Sequence, residues 1–148
     1  MKITDNYEII KESDDKLILL IVGSRDFNTY QIVEAVCNRL TKQFDKENIE
    51  IVSGGARGAD YLGKQYAINY GIKYTEFPAE WDKYGKSAGY KRNRQMHEYI
   101  ANKSTNRVCV AFWDGESKGT AHNFGLCKQF KHPLVLWNSK NKTIEKID

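Results

Sequence analysis

From Lys16 onward, short apolar runs alternate with amphipathic stretches, the pattern of βαβ units around a parallel sheet buried on both faces. Residues 17–22 are uniformly apolar and read as strand one. After the turn Gly-Ser-Arg-Asp-Phe at 23–27, Val33, Val36, Leu40 and Phe44 recur at three and four residues, which predicts a helix capped by Asn28 or Thr29. Residues 49–52 form strand two. A second helix carries Ala59, Leu62, Gly63, Tyr66, Ala67 and Tyr70 on one stripe and stops at Gly71, a residue suited to a left-handed cap. Strand three is expected at 72–77, followed by a long loop over 78–89. A third helix runs from about 89 to 101 with Asn93, Met96, His97 and Ile100 on one face. Strand four is placed at 107–112, a fourth helix carries Ala121, Phe124 and Cys127, and strand five is placed at 133–137.

This order of elements predicts an α/β fold, a three-layer αβα Rossmann-like sandwich with a mostly parallel five-stranded sheet in order 3-2-1-4-5. One domain spans 16–138. Residues 1–15 and 139–148 lack clear periodicity and read as extensions, a mobile N-terminal one and a C-terminal one ending in a short strand. In such sheets ligands bind outside the carboxyl ends of the strands where the strand order reverses, here between strands one and four.

The polar, glycine-bearing turns fall on that rim. The first contains Gly23, Ser24 and Arg25. The second, Ser53-Gly54-Gly55-Ala56-Arg57-Gly58, joins strand two to the second helix and reads as a phosphate cradle, because glycines leave helix N-terminal amides open to an anion and Arg57 adds a charged fork. Asp60, in the first turn of that helix, suits the helix dipole without any ligand. The third turn, 113–120, supplies Asp114, Gly115, Ser117, Lys118, Gly119 and Thr120, which suit phosphate or ribose; Asp114 before a glycine equally suits a simple turn. The long loop and the helix after it add Trp81, Tyr84 and Tyr90 to stack a base, and Lys83, Lys86, Lys91, Arg92 and Arg94 to neutralise phosphate, with Arg92 and Asn93 facing the rim and Arg94 and Gln95 facing solvent. A standard NAD site fits badly: strand one is followed by a single Gly23, and Ser53-Gly54 stands where an acid should close strand two, although Glu76 or Glu80 falls at a workable distance from the second turn. No Walker A loop is present.

Composition narrows the picture further. The 148 residues are 41% apolar, which suits one ordinary core. Three cysteines without a C-x-x-C pair suggest reduced thiols, no zinc and a cytoplasmic protein, and His97, His122 and His132 lack helical metal spacing. No cofactor is called for. No apolar run of about 18 residues predicts a membrane span, and no signal peptide is evident. A net charge of +4 suits an anionic ligand, but the cations are mixed with 19 acids, which argues against a nucleic-acid track.

The motifs Val-Gly-Ser-Arg-Asp-Phe at 22–27, Ser-Gly-Gly-Ala-Arg-Gly-Ala-Asp at 53–60, Phe-Pro-Ala-Glu-Trp at 77–81, Ala-Gly-Tyr-Lys-Arg-Asn at 88–93 and Asp-Gly-Glu-Ser-Lys-Gly-Thr at 114–120 resemble, in order and spacing, the YspA-like branch of the SLOG superfamily. These are Rossmann-like domains related to the lonely guy (LOG) cytokinin-activating proteins and to DNA-processing protein A. The resemblance implies binding of a nucleotide or nucleotide-derived small molecule, such as an ADP-ribose-like or cyclic nucleotide signal, by a sensor or sequestering protein, and a homodimer as the assembly. The lonely guy enzymes cleave an N-glycosidic bond with an arginine and the glutamate of P-G-G-x-G-T-x-x-E. Aligning Gly119-Thr120 with that G-T puts Asn123 at the glutamate, and a neutral amide cannot stabilise an oxocarbenium-like centre or carry its proton. Either another acid substitutes, with Asp114 and Glu80 the candidates, or the domain only binds. Single-stranded DNA binding, as in DNA-processing protein A, is a third reading.

Overall fold

The computed structural model describes residues 1–147. Its centre is a six-stranded sheet. β3 (Leu17–Gly23), β4 (Ile49–Ser53), β5 (Lys73–Glu76), β6 (Asn106–Trp113) and β7 (Leu134–Asn138) are parallel, and β8 (Thr143–Ile147) pairs antiparallel with β7. The order is β5-β4-β3-β6-β7-β8. It differs from the expected order in its sixth strand: the five expected strands keep their places relative to one another, and β8 extends the edge beyond the fifth. β8 escaped the five-strand count because Thr-Ile-Glu-Lys-Ile offers only alternate apolar positions, as an edge strand with one solvated face should.

Alternation along the parallel strands divides the core in two. Leu17, Leu19, Ile21, Val108, Val110 and Phe112 face one side, where α1 (Tyr30–Thr41) and α2 (Ala59–Tyr70) cover them with Val33, Leu40, Tyr66 and Ala67. Ile18, Leu20, Val22, Cys109 and Ala111 face the other, under α4 (Ala88–Ala101) and α5 (Lys118–Phe130), through Met96, Ile100 and Cys127. This is the three-layer αβα arrangement. Each fully buried aliphatic side chain contributes about 1.5–3 kcal/mol, which is why uniformly apolar strands such as β3 sit at the sheet centre.

The ends of the chain are tied into this body. β1 (Lys2–Ile3) and β2 (Ile9–Ile10) form a small antiparallel hairpin that inserts Ile3 and Ile9 into the first core. Lys146 Nζ donates to the Ile3 carbonyl at 2.8 Å, and Tyr7 hydroxyl donates to the Ile144 carbonyl at 3.1 Å. Between β5 and α4 the expected long loop contains a one-turn helix, α3 (Trp81–Tyr84), and a 3-10 turn over Gly85–Ser87, so the chain arrives at α4 already wound.

Candidate functional site

A cavity of about 460 Å3 opens at the carboxyl ends of β3, β4 and β6, where the strand order reverses. That volume lies within the range of about 300–1,000 Å3 usual for small-molecule sites. Ser24 holds the three rim turns together. Its amide donates to the Phe112 carbonyl at 2.9 Å, its carbonyl accepts the Ala59 amide at 3.2 Å, and its hydroxyl accepts the Asp114 amide at 3.0 Å. Ser24 is only 2% exposed and lies behind the cavity wall rather than on it. Gly23 and Arg25, its neighbours, do line the cavity.

The 53–58 turn is built differently from a plain phosphate cradle. Ser53 is fully buried, and its hydroxyl is taken by Tyr74 at 2.7 Å and the Asp60 carbonyl at 3.2 Å. The Gly55 amide leans on Ser53 Oγ, and the Ala56 amide donates to Asp60 Oδ2 at 3.3 Å. Two amides expected to face an anion are thus used inside the turn. Gly58, at φ +82°, adopts a left-handed backbone that a side chain rarely does, and brings α2 hard against the Ser24 and Arg25 carbonyls. Of this turn Ala56 and Arg57 reach the cavity, while Ser53, Gly54, Gly55 and Gly58 support it from behind.

α4 supplies the wall opposite. Arg92 Nη1 donates to the Gly54 carbonyl at 2.8 Å and its Nε to Asn93 Oδ1 at 3.0 Å. Asn93 Nδ2 reaches the Gly119 carbonyl at 3.3 Å, so α4 is stitched to both neighbouring turns. Both residues face the rim, and Arg94 and Gln95 are exposed. Trp81 and Lys86 line the cavity mouth. Tyr84 does not: it lies outside the lining, with Lys83 and Lys91 over its ring at 5.1 and 4.8 Å. The second aromatic at the mouth is Tyr90, stacked on His122 with centroids 4.3 Å apart. Tyr90 was readable as an aromatic in a basic stretch, but only the start of α4 at Ala88 fixes which ring turns inward.

At the third turn, Ser117, Gly119 and Thr120 line the cavity at the N-terminus of α5, whose Ser117 N-cap accepts the Thr120 amide. Gly115 and Lys118 fall outside the lining. Asp114 borders the cavity, but its Oδ1 accepts the Glu116 and Ser117 amides at 2.8 Å each, and these bonds hold its carboxyl below the usual carboxylate range. Glu80 is exposed, lies outside the lining and faces Lys83 at 4.0 Å. Asn123 borders the cavity with its amide committed elsewhere: Nδ2 donates to the Gly119 carbonyl at 3.3 Å, and Oδ1 lies 3.2 Å from His97 Nε2. Behind it His97 Nδ1 meets His132 Nδ1 at 2.9 Å, and burial lowers these two histidines to about 4 and about 3.

Two features were not read from spacing. Asp60, only 6% exposed, lies on the cavity floor, where burial pushes its carboxyl up to about 6 against the pull of Arg92. The ligand atoms of His97, Cys109 and Cys127 lie within 4.8 Å of one another in the core below, a metal-like trio brought together by α4, β6 and α5. His97 Nε2 is already paired with Asn123, and a hydrogen bond with the Cys127 side chain, together with burial, drives the Cys109 thiol well above its ordinary range. The three cysteines are free and buried. No helix among the described residues is long and apolar enough to cross a membrane.

A mostly parallel αβα sandwich with a ligand-sized cavity at its topological switch point defines a Rossmann-like domain. Residues 17–84 match the model of the YspA, cpYpsA-related SLOG family. The chain is 31% identical over 130 residues to the Gene 61 protein of Mycobacterium phage D29, a match covering 82% of this chain and 97% of that protein. This chain belongs to the YspA, cpYpsA-related SLOG family. No solved structure matches it.

Proposed function

We propose that this chain binds a nucleotide derivative, an ADP-ribose-like or cyclic nucleotide signal, as a cytoplasmic sensor or sequestering protein. The observation that carries the reading is the switch-point cavity itself, which sets Arg25, Arg57, Lys86 and Arg92 for phosphate against Trp81 and Tyr90 for a base. With two cradle amides already used, the start of α5 at Ser117–Thr120 is the better phosphate end. The engagement of Asp114 by its own turn, the position of Glu80 outside the cavity and the commitment of Asn123 to His97 all support binding over glycosidic cleavage. A small-molecule partner also fits better than a nucleic-acid strand, because Arg25, Arg57, Lys86 and Arg92 converge on one cavity and the chain's other cations are mixed with 19 acids.

Isothermal titration with ADP-ribose, NAD, cyclic dinucleotides and nucleoside monophosphates tests this. At least one should bind, and Arg57→Ala, at an exposed position, should weaken it about tenfold with little change in melting temperature. Absence of binding by every adenine and guanine nucleotide would sink the reading.

A further inference from the structure

We propose that Asp60 recognises a ligand hydroxyl, so that the cavity takes a ribonucleotide derivative and discriminates against its deoxy form. The assignment rests on the nucleotide reading above and adds a specificity to it. An ionised carboxylate on the floor of an anion site is out of place unless something donates to it: it accepts hydrogen bonds only, and it repels phosphate. Asp60 is 6% exposed and lines the cavity, yet no side chain among the described residues forms a hydrogen bond or ion pair with it. Its protein donors are backbone amides alone: Ala56 donates to Oδ2 at 3.3 Å, and the Gly54 amide also acts on the carboxyl.

Arg92 does not fill the gap. Its Nε and Nη1 are spent on Asn93, Gly54 and Phe77, so its charge acts on Asp60 through space. The two groups flank Gly54, where a β-carbon would collide with the guanidinium and lie 2.9 Å from Asp60 Oδ2. Glycine at this position leaves room behind the cavity wall for the arginine to pack against the backbone beside the acid. Burial has raised the carboxyl toward neutrality despite these backbone donors and the nearby arginine charge, so a further donor from a ligand would favour its ionised form.

Two ligand parts could supply a neutral donor: a sugar hydroxyl or an exocyclic base amine. Depth favours the sugar. Trp81 and Tyr90 are each 49% exposed at the cavity mouth, where a base would stack, while Asp60 is at the floor beneath. A vicinal diol also presents two donors to the two carboxylate oxygens.

The test is titration of the wild-type chain and Asp60→Asn with AMP, 2′-deoxy-AMP, 3′-deoxy-AMP and IMP, with melting curves as the folding control. The wild type should bind AMP at least tenfold more tightly than one of the deoxy forms, and Asp60→Asn should shrink that ratio below threefold. Equal binding of AMP and both deoxy forms by the wild type would overturn the assignment whether or not the variant folds. So would a ribose preference that survives in folded Asp60→Asn. A preference for AMP over IMP lost in the variant, with the ribose preference intact, would move Asp60 to the base amine and overturn it also. If Asp60→Asn does not fold, Asp60→Ser takes its place with the same criteria. Wild-type protein that binds none of these nucleotides, nor ADP-ribose, NAD or a cyclic dinucleotide, would instead overturn the nucleotide reading, and this assignment with it.

Discussion

At the scale of single residues, Asp60 puts stability and recognition in conflict. Its carboxyl moves from 3.8 to about 6 on folding because burial penalises the ionised form. A raised acid favours the folded state below its unfolded value, and that contribution is lost as pH rises through about 6. Asp60→Asn should therefore be more stable than wild type at pH 7.5, by up to about 3 kcal/mol, with the advantage gone at pH 4. Urea melts at the two pH values measure it, and a pH-independent difference would contradict the origin given. The sequence showed an acid in the first turn of a helix, and the dipole explanation was sufficient there. What it could not show is that the side chain turns back along the 53–58 loop to accept from Ala56, a matter of tertiary placement. Arg92 and Asn93 were legible as rim residues because helix period fixes their direction once the start of the helix is known. Tyr84 lies outside the cavity lining, at the end of the one-turn helix α3, with Lys83 and Lys91 over its ring, a placement the spacing alone did not reveal.

At the scale of elements, α4 and α5 are joined behind the cavity by the run Gly119 carbonyl, Asn123, His97, His132. One consistent protonation pattern has His97 donate from Nε2 to Asn123 Oδ1 and accept at Nδ1 from His132, which leaves the buried His132 Nε2 as an unpartnered acceptor. Depressed histidines contribute stability that is present above the unfolded value near 6.5 and lost as pH falls toward about 4 and about 3. Stability should therefore decline from pH 6.5 downward, opposite in slope to the Asp60 contribution and larger, since two groups act together. Denaturation midpoints of His132→Phe should fall less steeply between pH 6.5 and 4 than those of wild type. Slopes equal in the two proteins would exclude the pair as the cause. The helices themselves were legible from their apolar stripes and from Gly71, which takes the left-handed cap expected of it. The pairing of His97 with His132, 35 residues away, has no local signature.

At the scale of the molecule, β8 and the N-terminal hairpin close one end of the structure. Half-buried Ile144 packs on the first core and Lys146 ties β8 to the hairpin. Removal of residues 139–148 would strip β7 of its antiparallel partner and open a hydrophobic edge at Val135 and Trp137. The truncated chain should lose about 2–4 kcal/mol and aggregate on heating, although none of the described residues among those deleted lines the cavity. Light scattering during thermal melts checks this, and a soluble, equally stable truncation would show that the edge is protected in another way. The fold class was readable because uniformly apolar parallel strands separated by amphipathic helices admit few other arrangements. The short C-terminal strand was expected, but its place on the sheet edge and the docking of the N-terminal hairpin were not, since their anchoring residues are single isoleucines set among charges.

Ser24 joins turns that lie far apart in sequence, through one amide, one carbonyl and one hydroxyl. Three walls of the cavity therefore form a single mechanical unit. Substitutions in different walls should not combine additively in their effect on binding, because a displacement of Asp114 is felt at Ala59 through the same buried serine. A double-mutant cycle between the 53–58 and 113–120 turns, run with and without Ser24→Ala, would read that coupling directly: it should collapse when the hydroxyl is removed.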